Sequence, residues 1–589
     1  MTRKNWRRDY RLNPLKKLRQ AKPFVTFDIE SQNWKDFRLC GIFDGREYKK
    51  YDTIEATCDA LFTKRFRNYA IYAHYCGKYD GMFILDELRK RKGWTIEPIL
   101  SNGRMIEMRV KDADKHRWSV RDSFSILPAS LYDLTRKEAF DVVHKKLKAD
   151  EKGMIENPQY NINDCVGLYE VLEKFRDLNH GSFGLTIART SLDDYRRNYQ
   201  RQPFKPVREF ERIIREAYYG ARTEIFQFNT NPDKTFYDYD VNSLYPFVLR
   251  ENEYPYGSFK VVHPDIDTFG FSLARVAEQH RFPILPQRLS HKLMFMRGYH
   301  TGWYSNHELQ LVEKMSPFRL DVLKTIACEE HGPVFRDYVD DIYARRMEAR
   351  EQGNSALALI LKLKLNSFYG KFGQSREAER VVINPEYIEE GMKLDFIGDV
   401  PVFRKIVRNM STHIIPSISA LVTAYSRVYM WKWFTGVPDA DLFYMDTDSI
   451  IASTPCLEES KALGKFKLEL RMEKFYPILP KVYYYEVDGV SRVKAKGLPM
   501  QDMDSFRRWL ARLPVSDHRG IETFKRSLRK TTGETMLYNK VVTRTLASYY
   551  DKRRMLDDYR TYPFKTGDDR SENKAAFEKL RLETMKLIA

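Results

Sequence analysis

Asp446-Thr447-Asp448 interrupts a short apolar stretch, with Leu442-Phe443-Tyr444 before it and Ile450-Ile451 after it. Two brief apolar runs around a polar centre read as a β-hairpin over Leu442 to Ser453. Alternation along a strand puts residues i and i+2 on one face, so two carboxylates are expected to point together. Unpaired, they repel and lose solvation, and a divalent cation is the natural partner. A solvated acidic turn is the competing reading of these three residues alone. The feature gains meaning only if other parts of the chain bring more groups to the same place.

Asp240 ends an expected strand, Thr235 to Asp240, and opens Val241-Asn242-Ser243-Leu244-Tyr245-Pro246. A carboxylate at a strand end is often a cap or a turn residue, but here it is available to a metal. A long helix is expected from Phe335 to Phe372. On it, Lys362, Asn366, Tyr369 and Gly373 share a face, which suits a phosphate on Lys362 and a base on Tyr369. Arg346 and Arg350 lie one turn apart upstream. Their ordinary reading is a solvated helix face.

Asp28 and Glu30 form a further i, i+2 pair, on the expected strand Phe24 to Glu30, which Phe37 to Phe43 follows. Another short strand, Ile71 to His74, leads into a turn holding Asp80 and then a helix around Met82 to Arg91. Tyr160 and Asp164 are at i, i+4 on a helix from Tyr160 to Leu178. Carboxylates from a strand, a turn and a helix, with a tyrosine, suffice to hold two metals and orient a water. Strands and helices alternate through the first two hundred residues, as in an α/β unit.

Composition narrows the partner. Among 589 residues, 100 Lys+Arg oppose 81 Asp+Glu, a net charge of +19, which favours a polyanion. No apolar run reaches the ~18–20 residues of a membrane span. Met1 to Gln20 is basic without an apolar core, so no secretory leader is expected. The six cysteines form no C-x-x-C, which argues against a disulfide scaffold or cysteine zinc site and fits a reducing compartment. No phosphate-binding G-x-x-x-x-G-K-[ST] occurs.

In this order the elements resemble motifs A, B and C of the family B DNA polymerases: Asp240 to Pro246, Lys362 to Gly370, and Tyr444-Met445-Asp446-Thr447-Asp448-Ser449. Tyr218-Tyr219-Gly220-Ala221 resembles the Y-x-G-G/A link between the two catalytic domains, and Lys481-Val482-Tyr483 the K-x-Y primer-end motif. Asp28 with Glu30, Asp80, and Tyr160 with Asp164 resemble the three proofreading exonuclease motifs. Asp122-Ser123-Phe124 and Leu127-Pro128 resemble the single-strand-binding element. The resemblance covers Phe24 to about Lys496 and is nearest to the protein-primed branch of bacteriophages and linear plasmids, on the short length and the extra segments beside motif B.

It implies an α/β and α+β multidomain fold: a ribonuclease-H-like 3′–5′ exonuclease, then a right-hand polymerase with two inserted segments. Expected boundaries are 1–200 for the exonuclease, 201–260 and 411–535 for the palm, and 338–373 for the fingers. The inserted segments are 261–337 (terminal-protein or DNA contact) and 374–410 (strand displacement and processivity); the thumb is 536–589.

The implied polymerising ligands are Asp240, Asp448 and the Val241 carbonyl, with Asp446 in support. Asp28, Glu30 and Asp164 hold metal in the exonuclease, where Asp80 and Tyr160 also act. Lys362, Asn366, Tyr369, Tyr245, Val241 and Arg350 face the nucleotide, Tyr245 excluding a 2′-hydroxyl. Lys481, Tyr483, Tyr218, Gly220, Ser123, Phe124 and Tyr79 contact DNA. Implied cofactors are two Mg2+ (or Mn2+) per active site. Implied partners are primer-template and single-stranded DNA, dNTPs, and a terminal protein whose hydroxyl serves as primer. The protein is expected to be a monomer without membrane association, in bacterial cytoplasm or, for a linear plasmid, in mitochondria. Alternatives are an ordinary or self-made primer, or a non-catalytic DNA-binding relative. One departure stands out. The family places Asn after the histidine of the second exonuclease motif, whereas His74 is followed by Tyr75, which with Tyr79 is expected to stack on an unpaired base. The exonuclease lysine is either Lys145 or Lys146.

Overall fold

A computed structural model describes residues 11–588, apart from 16–21, 34–35, 102–103, 182, 291, 316–318, 398–399, 498–501, 520–539 and 547. The border expected near 535 lies outside the described residues.

Phe24–Gln32 is the central strand of the first region, parallel to Ala70–Ala73 and antiparallel to Asp36–Phe43. Ala70–Ala73 is in turn parallel to Arg117–Asp122. Its first four residues, Phe24 to Phe27, are buried on both sides of the sheet. Val25, Phe27 and Ile29 join the core built with the helices Ile54–Leu61 and Asp80–Leu88. Phe24 instead packs with the helix Pro158–Leu178, and Thr26 Oγ1 donates to the Cys165 carbonyl at 2.8 Å. By alternation, Asp28 and Glu30 share that second face. Asn157 caps this helix through Gln159 N, and Pro158 occupies its first turn.

The full sheet has ten strands. Its order is Lys393–Ile397, Val400–Arg408, Glu377–Ile383, Thr95–Ser101, Arg104–Lys111, Arg117–Asp122, Ala70–Ala73, Phe24–Gln32, Asp36–Phe43 and Tyr48–Tyr51. The segment expected as an insertion at 374–410 therefore adds three strands to the N-terminal sheet, with Ile383 opposite Ile96. Arg380 pairs with Glu97, and Lys111 with Glu386, across the junction.

A second sheet has the order Phe466–Met472, Phe236–Val241, Ser449–Ala452, Leu442–Asp446 and Thr223–Ile225. Tyr239, Val241, Met445 and Ile450 share one core with Ile418, Leu421 and Val422 of the helix Pro416–Phe434. Segment 261–337 contains most of a separate four-stranded antiparallel sheet: Lys260–Val262, Arg319–Ala327, Gly270–Glu278 and Gly298–Ser305.

The single helix expected over Phe335 to Phe372 is two, Arg336–Glu351 and Ser355–Phe372. Gly353 turns the chain at φ +72°, and Asn354 caps the second helix through Leu357 N. The second helix is anchored to the N-terminal region by a fully buried ion pair. Lys364 Nζ lies 2.6 Å from Asp194 Oδ2 and donates to Asn179 Oδ1 at 3.0 Å. A hairpin turns at Asp488-Gly489, both residues at positive φ, between Val482–Val487 and Val490–Ala495. In the last fifty residues the α-helix is Asn573–Leu587. Short pairings such as Arg554–Met555 with Thr561–Tyr562 precede that helix, because the polar stretch there is also rich in turn formers.

Candidate active sites

Motifs A and C meet on adjacent strands. Asp240 is opposite Ser449, and Val241 N donates to the Asp448 carbonyl at 2.8 Å, so backbone pairing sets Asp240 beside Asp448. Burial and then Asp448 push the Asp240 carboxyl up to about 7; Asp448 is also raised, chiefly by burial. Lys467 Nζ, 3.7 Å from Asp240, offsets this only partly because it also pairs with Glu469. Two carboxylates resisting ionisation side by side form a donor set that a divalent cation fits.

One expectation is corrected. Asp446 and Asp448 do not lie on one strand: Asp446 pairs with Ser449, which leaves Thr447-Asp448 as a two-residue turn. Thr447, a β-branched residue, is held at φ +65°, a strained conformation. Asp446 is engaged by Lys481 Nζ and by Thr223 Oγ1 at 3.0 Å. Val241 is fully buried.

Lys362 is exposed on the motif-B helix, near enough to Asp448 to lower its pKa, while Asn366 and Tyr369 are half-buried. The Tyr245 and Tyr369 rings lie 4.7 Å apart, and Ser419 Oγ bonds the Tyr369 carbonyl at 2.6 Å. Arg346, not Arg350, reaches motif A: its Nη1 donates to Ser243 Oγ at 2.7 Å, and Arg350 is exposed. Tyr218 is half-buried and Gly220 exposed. The Tyr219 and Gly220 carbonyls accept from Arg427 Nη1 at 2.8 and 2.9 Å, and Arg427 is held by Glu308 of the helix Asn306–Lys314. Tyr483 is buried against Tyr444 and Phe475, so its ring is a packing surface behind Lys481.

The second cluster forms where the central strand meets the helix Pro158–Leu178. Carboxylate oxygens of Asp28, Glu30 and Asp164 lie within 4.8 Å of one another. Burial, then Glu30, Asp164 and Asp80, hold the Asp28 pKa well above the ordinary range. Burial lifts Asp80 to about 7 and Asp164 to about 6. Asp164 Oδ1 is buried without a partner. Three crowded carboxylates and an orphaned oxygen fit metal binding. Lys146, not Lys145, serves this cluster. It pairs with Asp164 and sits 4.6 Å from the Tyr160 ring centre, whereas Lys145 pairs with Asp141.

Asp80 accepts from Ile29 N at 3.0 Å, and Tyr79 bonds Ser31 through its hydroxyl. Ser123 is fully buried, and its Oγ bonds His74 Nδ1 at 2.9 Å. Burial lowers His74 to about 4, so the ring is neutral, with Nε2–H donating to the Ala129 carbonyl at 2.9 Å.

Three residues went unread in the sequence. Asn161 Nδ2 donates to Asp28 Oδ2 at 3.0 Å and to Glu30 Oε1 at 3.2 Å, while its Oδ1 accepts from Tyr48 at 2.9 Å. Its place next to Tyr160 carries no signal, since only the fold brings it under the strand. Asp238 is on the Asp240 face of its strand, lifted by burial to about 6, with Oδ1 unpartnered. The same i, i+2 spacing used for Asp28 and Glu30 would have found it. Arg104 pairs with buried Asp122.

Comparison with known proteins matches residues 63–154 and 136–402 to the family described as DNA polymerase type B, organellar and viral. A probable DNA polymerase of Neurospora intermedia is 25% identical over 580 residues, covering 82% of this chain and 58% of its own length. The chain thus spans little more than half of that relative. The DNA-directed DNA polymerase of Enterobacteria phage PRD1 is 26% identical over 504 residues, covering 82% of this chain and 86% of its own. Phi29 DNA polymerase, solved with primer-template DNA and incoming nucleotide substrates, superposes with a TM-score of 0.68 at 18% identity. It covers 88% of this chain and 100% of its own, and shows the shared fold.

Proposed function

The chain belongs to the organellar and viral type B DNA polymerases, and from that membership we propose that it extends DNA on a template and removes 3′-terminal nucleotides at a second site. The observation that carries the first activity is the backbone-locked pair Asp240 and Asp448, with Lys362 and the Tyr245–Tyr369 wall beside it. Asp28, Glu30 and Asp164, with Lys146 and Tyr160, carry the second.

Asp240 and Asp448, with the Val241 carbonyl, would hold two Mg2+ or Mn2+ ions, and Asp28, Glu30 and Asp164 a second pair. Such ions, when bound, stabilise the attacking and leaving oxygens of an in-line displacement. Lys362 neutralises triphosphate charge, and Arg346 steadies the turn that carries Tyr245. The Tyr245 ring closes the space a 2′-hydroxyl would need. Asp446 holds Lys481 in place until a primer phosphate competes for it. In the second site Asn161 orients Asp28 and Glu30, and Lys146 balances the charge of Asp164.

Segments 261–337 and 374–410 support initiation on the hydroxyl of a terminal protein and unaided strand displacement. The partners are then primer-template DNA, single-stranded DNA, dNTPs and that protein, with a monomer acting in bacterial cytoplasm or a mitochondrion. Incubation with the product of the neighbouring gene, Mg2+ and labelled dNTP tests the reading. Label on the protein supports protein priming, label on an added oligonucleotide alone supports an ordinary primer, and none on either rejects the polymerase assignment.

A further inference from the structure

The strand Thr223–Ile225 is the edge of the sheet that carries motifs A and C, and all three of its residues are buried. Its inner side sets motif C. Asp446 pairs with Thr223, and the Arg222 carbonyl accepts at 2.9 Å from the N–H of Thr447, the residue held at φ +65°. An edge strand ordinarily leaves its outer N–H and C=O groups unpaired. Here side chains from residues 550–561 take them. The Tyr550 hydroxyl donates to the Ile225 carbonyl at 3.0 Å and accepts from Ile225 N at 3.1 Å. Lys552 Nζ donates to the Thr223 carbonyl at 3.0 Å, and Thr561 Oγ1 to the Ile225 carbonyl at 2.8 Å.

The same strand carries a buried charge cluster that neither active site uses. Glu224 Oε2 accepts from Arg222 Nε at 2.8 Å and from Arg553 Nη1 at 3.3 Å. Arg222, Glu224 and Arg553 are 4%, 1% and 0% exposed. Each guanidinium also reaches out of the cluster. Arg222 Nη1 donates to the Pro283 carbonyl at 2.7 Å. Arg553 donates to Thr561 Oγ1 at 3.0 Å and to the Arg281 carbonyl at 3.3 Å. Buried ion pairs are a poor source of stability, since apolar side chains of like volume often hold a core as well or better. A planar fork of donors supplies geometry instead, fixing its partners in direction as well as distance. These two forks fasten one short strand to two distant stretches of chain, and the turn holding Asp448 hangs on that strand.

We propose that Arg222, Glu224 and Arg553 are positioning residues for the polymerising centre: they hold the strand Thr223–Ile225, and with it the Thr447-Asp448 turn, so that metal binding there depends on residues 281–283 and 550–561. This rests on reading Asp240 and Asp448 as the polymerising ligands. The three residues act through the strand backbone and do not touch substrate. Loss of the groups that orient metal ligands typically costs about 10- to 100-fold in metal affinity or activity.

The test uses the full chain with Asp28→Ala/Glu30→Ala, which removes ligands of the second cluster. Mn2+ binding is followed by electron paramagnetic resonance of the free ion, and single-nucleotide incorporation is measured on the same protein. Arg553→Met is expected to weaken Mn2+ binding about 10-fold or more. At the Mn2+ concentration that half-saturates the parent, a 10-fold loss leaves about one fifth of the incorporation rate, and raising Mn2+ should restore most of it. Glu224→Gln keeps the shape and an acceptor for both arginines, and should shift Mn2+ affinity in the same direction by less. It decides the matter if thermal unfolding shows Arg553→Met to be unfolded. Parental Mn2+ affinity in the folded variants overturns the proposal. So does a fall in rate with no change in Mn2+ affinity, which marks a structural role alone. A parent that binds Mn2+ but incorporates no nucleotide rejects the polymerase reading, while the Mn2+ comparison still judges the positioning.

Discussion

Replacing Lys364 with Met removes the cation that pairs with buried Asp194. Lys364 is fully buried and Asp194 is 2% exposed. The side-chain donors recorded for Asp194 are Lys364 itself, at 2.6 Å on Oδ2, and Asn198, at 2.7 Å on Oδ1. Once the ammonium is gone, a carboxylate stays buried with one neutral hydrogen bond. Breaking a buried pair in this way costs about 3–5 kcal/mol. For a cooperative unit of ~150–250 residues, that is roughly 6–20 °C in Tm. Lys364→Met/Asp194→Leu removes both charges and should recover most of the loss, since an apolar replacement of a buried pair is often neutral or stabilising. The assay is thermal unfolding of parent, both single variants and the double variant, with primer extension at 25 °C as a second readout. Because the pair fastens the motif-B helix two residues from Lys362, Lys364→Met should also raise the KM for dNTP, and the double variant should restore it. A Lys364→Met protein as stable as its parent would refute the reasoning. So would a double variant no better than the worse single one.

Asp240→Asn or Asp448→Asn should lower nucleotide incorporation by more than about 100-fold while degradation of single-stranded DNA continues; primer extension and hydrolysis on one preparation check this. Tyr245→Val should shift the dNTP-to-rNTP efficiency ratio by about 10- to 200-fold, read from single-nucleotide incorporation. In metal-free buffer the raised carboxyls, Asp240 and Asp80 at about 7 and Asp164 at about 6, make the folded state bind more protons than the unfolded state between about pH 4 and 7. Their contribution to stability therefore falls as pH rises through that window. Cations compete with those protons, so the Tm increase on adding Mg2+ should be larger at pH 8 than at pH 5.5, and equal increases would contradict the shifts.

Much of the chemistry was legible because it is written in short spacings. The hairpin expected over Leu442 to Ser453 forms as Leu442–Asp446 paired with Ser449–Ala452. Asp28 and Glu30 share a face for the plain reason that strands alternate. The same rule failed at Asp446 and Asp448, because a two-residue turn intervenes where an unbroken strand was assumed. Helical periodicity failed over Phe335 to Phe372, where Gly353 at positive φ and the Asn354 cap break the expected helix into two. Asn161, Arg104 and Lys364 act through partners 18 to 185 residues away. A single sequence has no local mark for such contacts. Nor could it show that strands near residue 380 complete a sheet begun near residue 24.

That completed sheet bears on how the protein can be dissected. Removing 374–410, the obvious way to ask what the segment does, would uncover the backbone of Thr95–Ser101 and take Val381, Ile383 and Val402 out of the core they share with Ile96 and Trp118. A newly opened edge recruits strands from other molecules, so such a truncation is expected to aggregate and to mimic loss of function. Changes in the loop between Asn384 and Met392 that spare Glu386, the partner of Lys111, would leave the seam closed. The same seam constrains descent: a lineage that sheds the segment must at that moment reseal the domain beside it, which ties the two to a common inheritance.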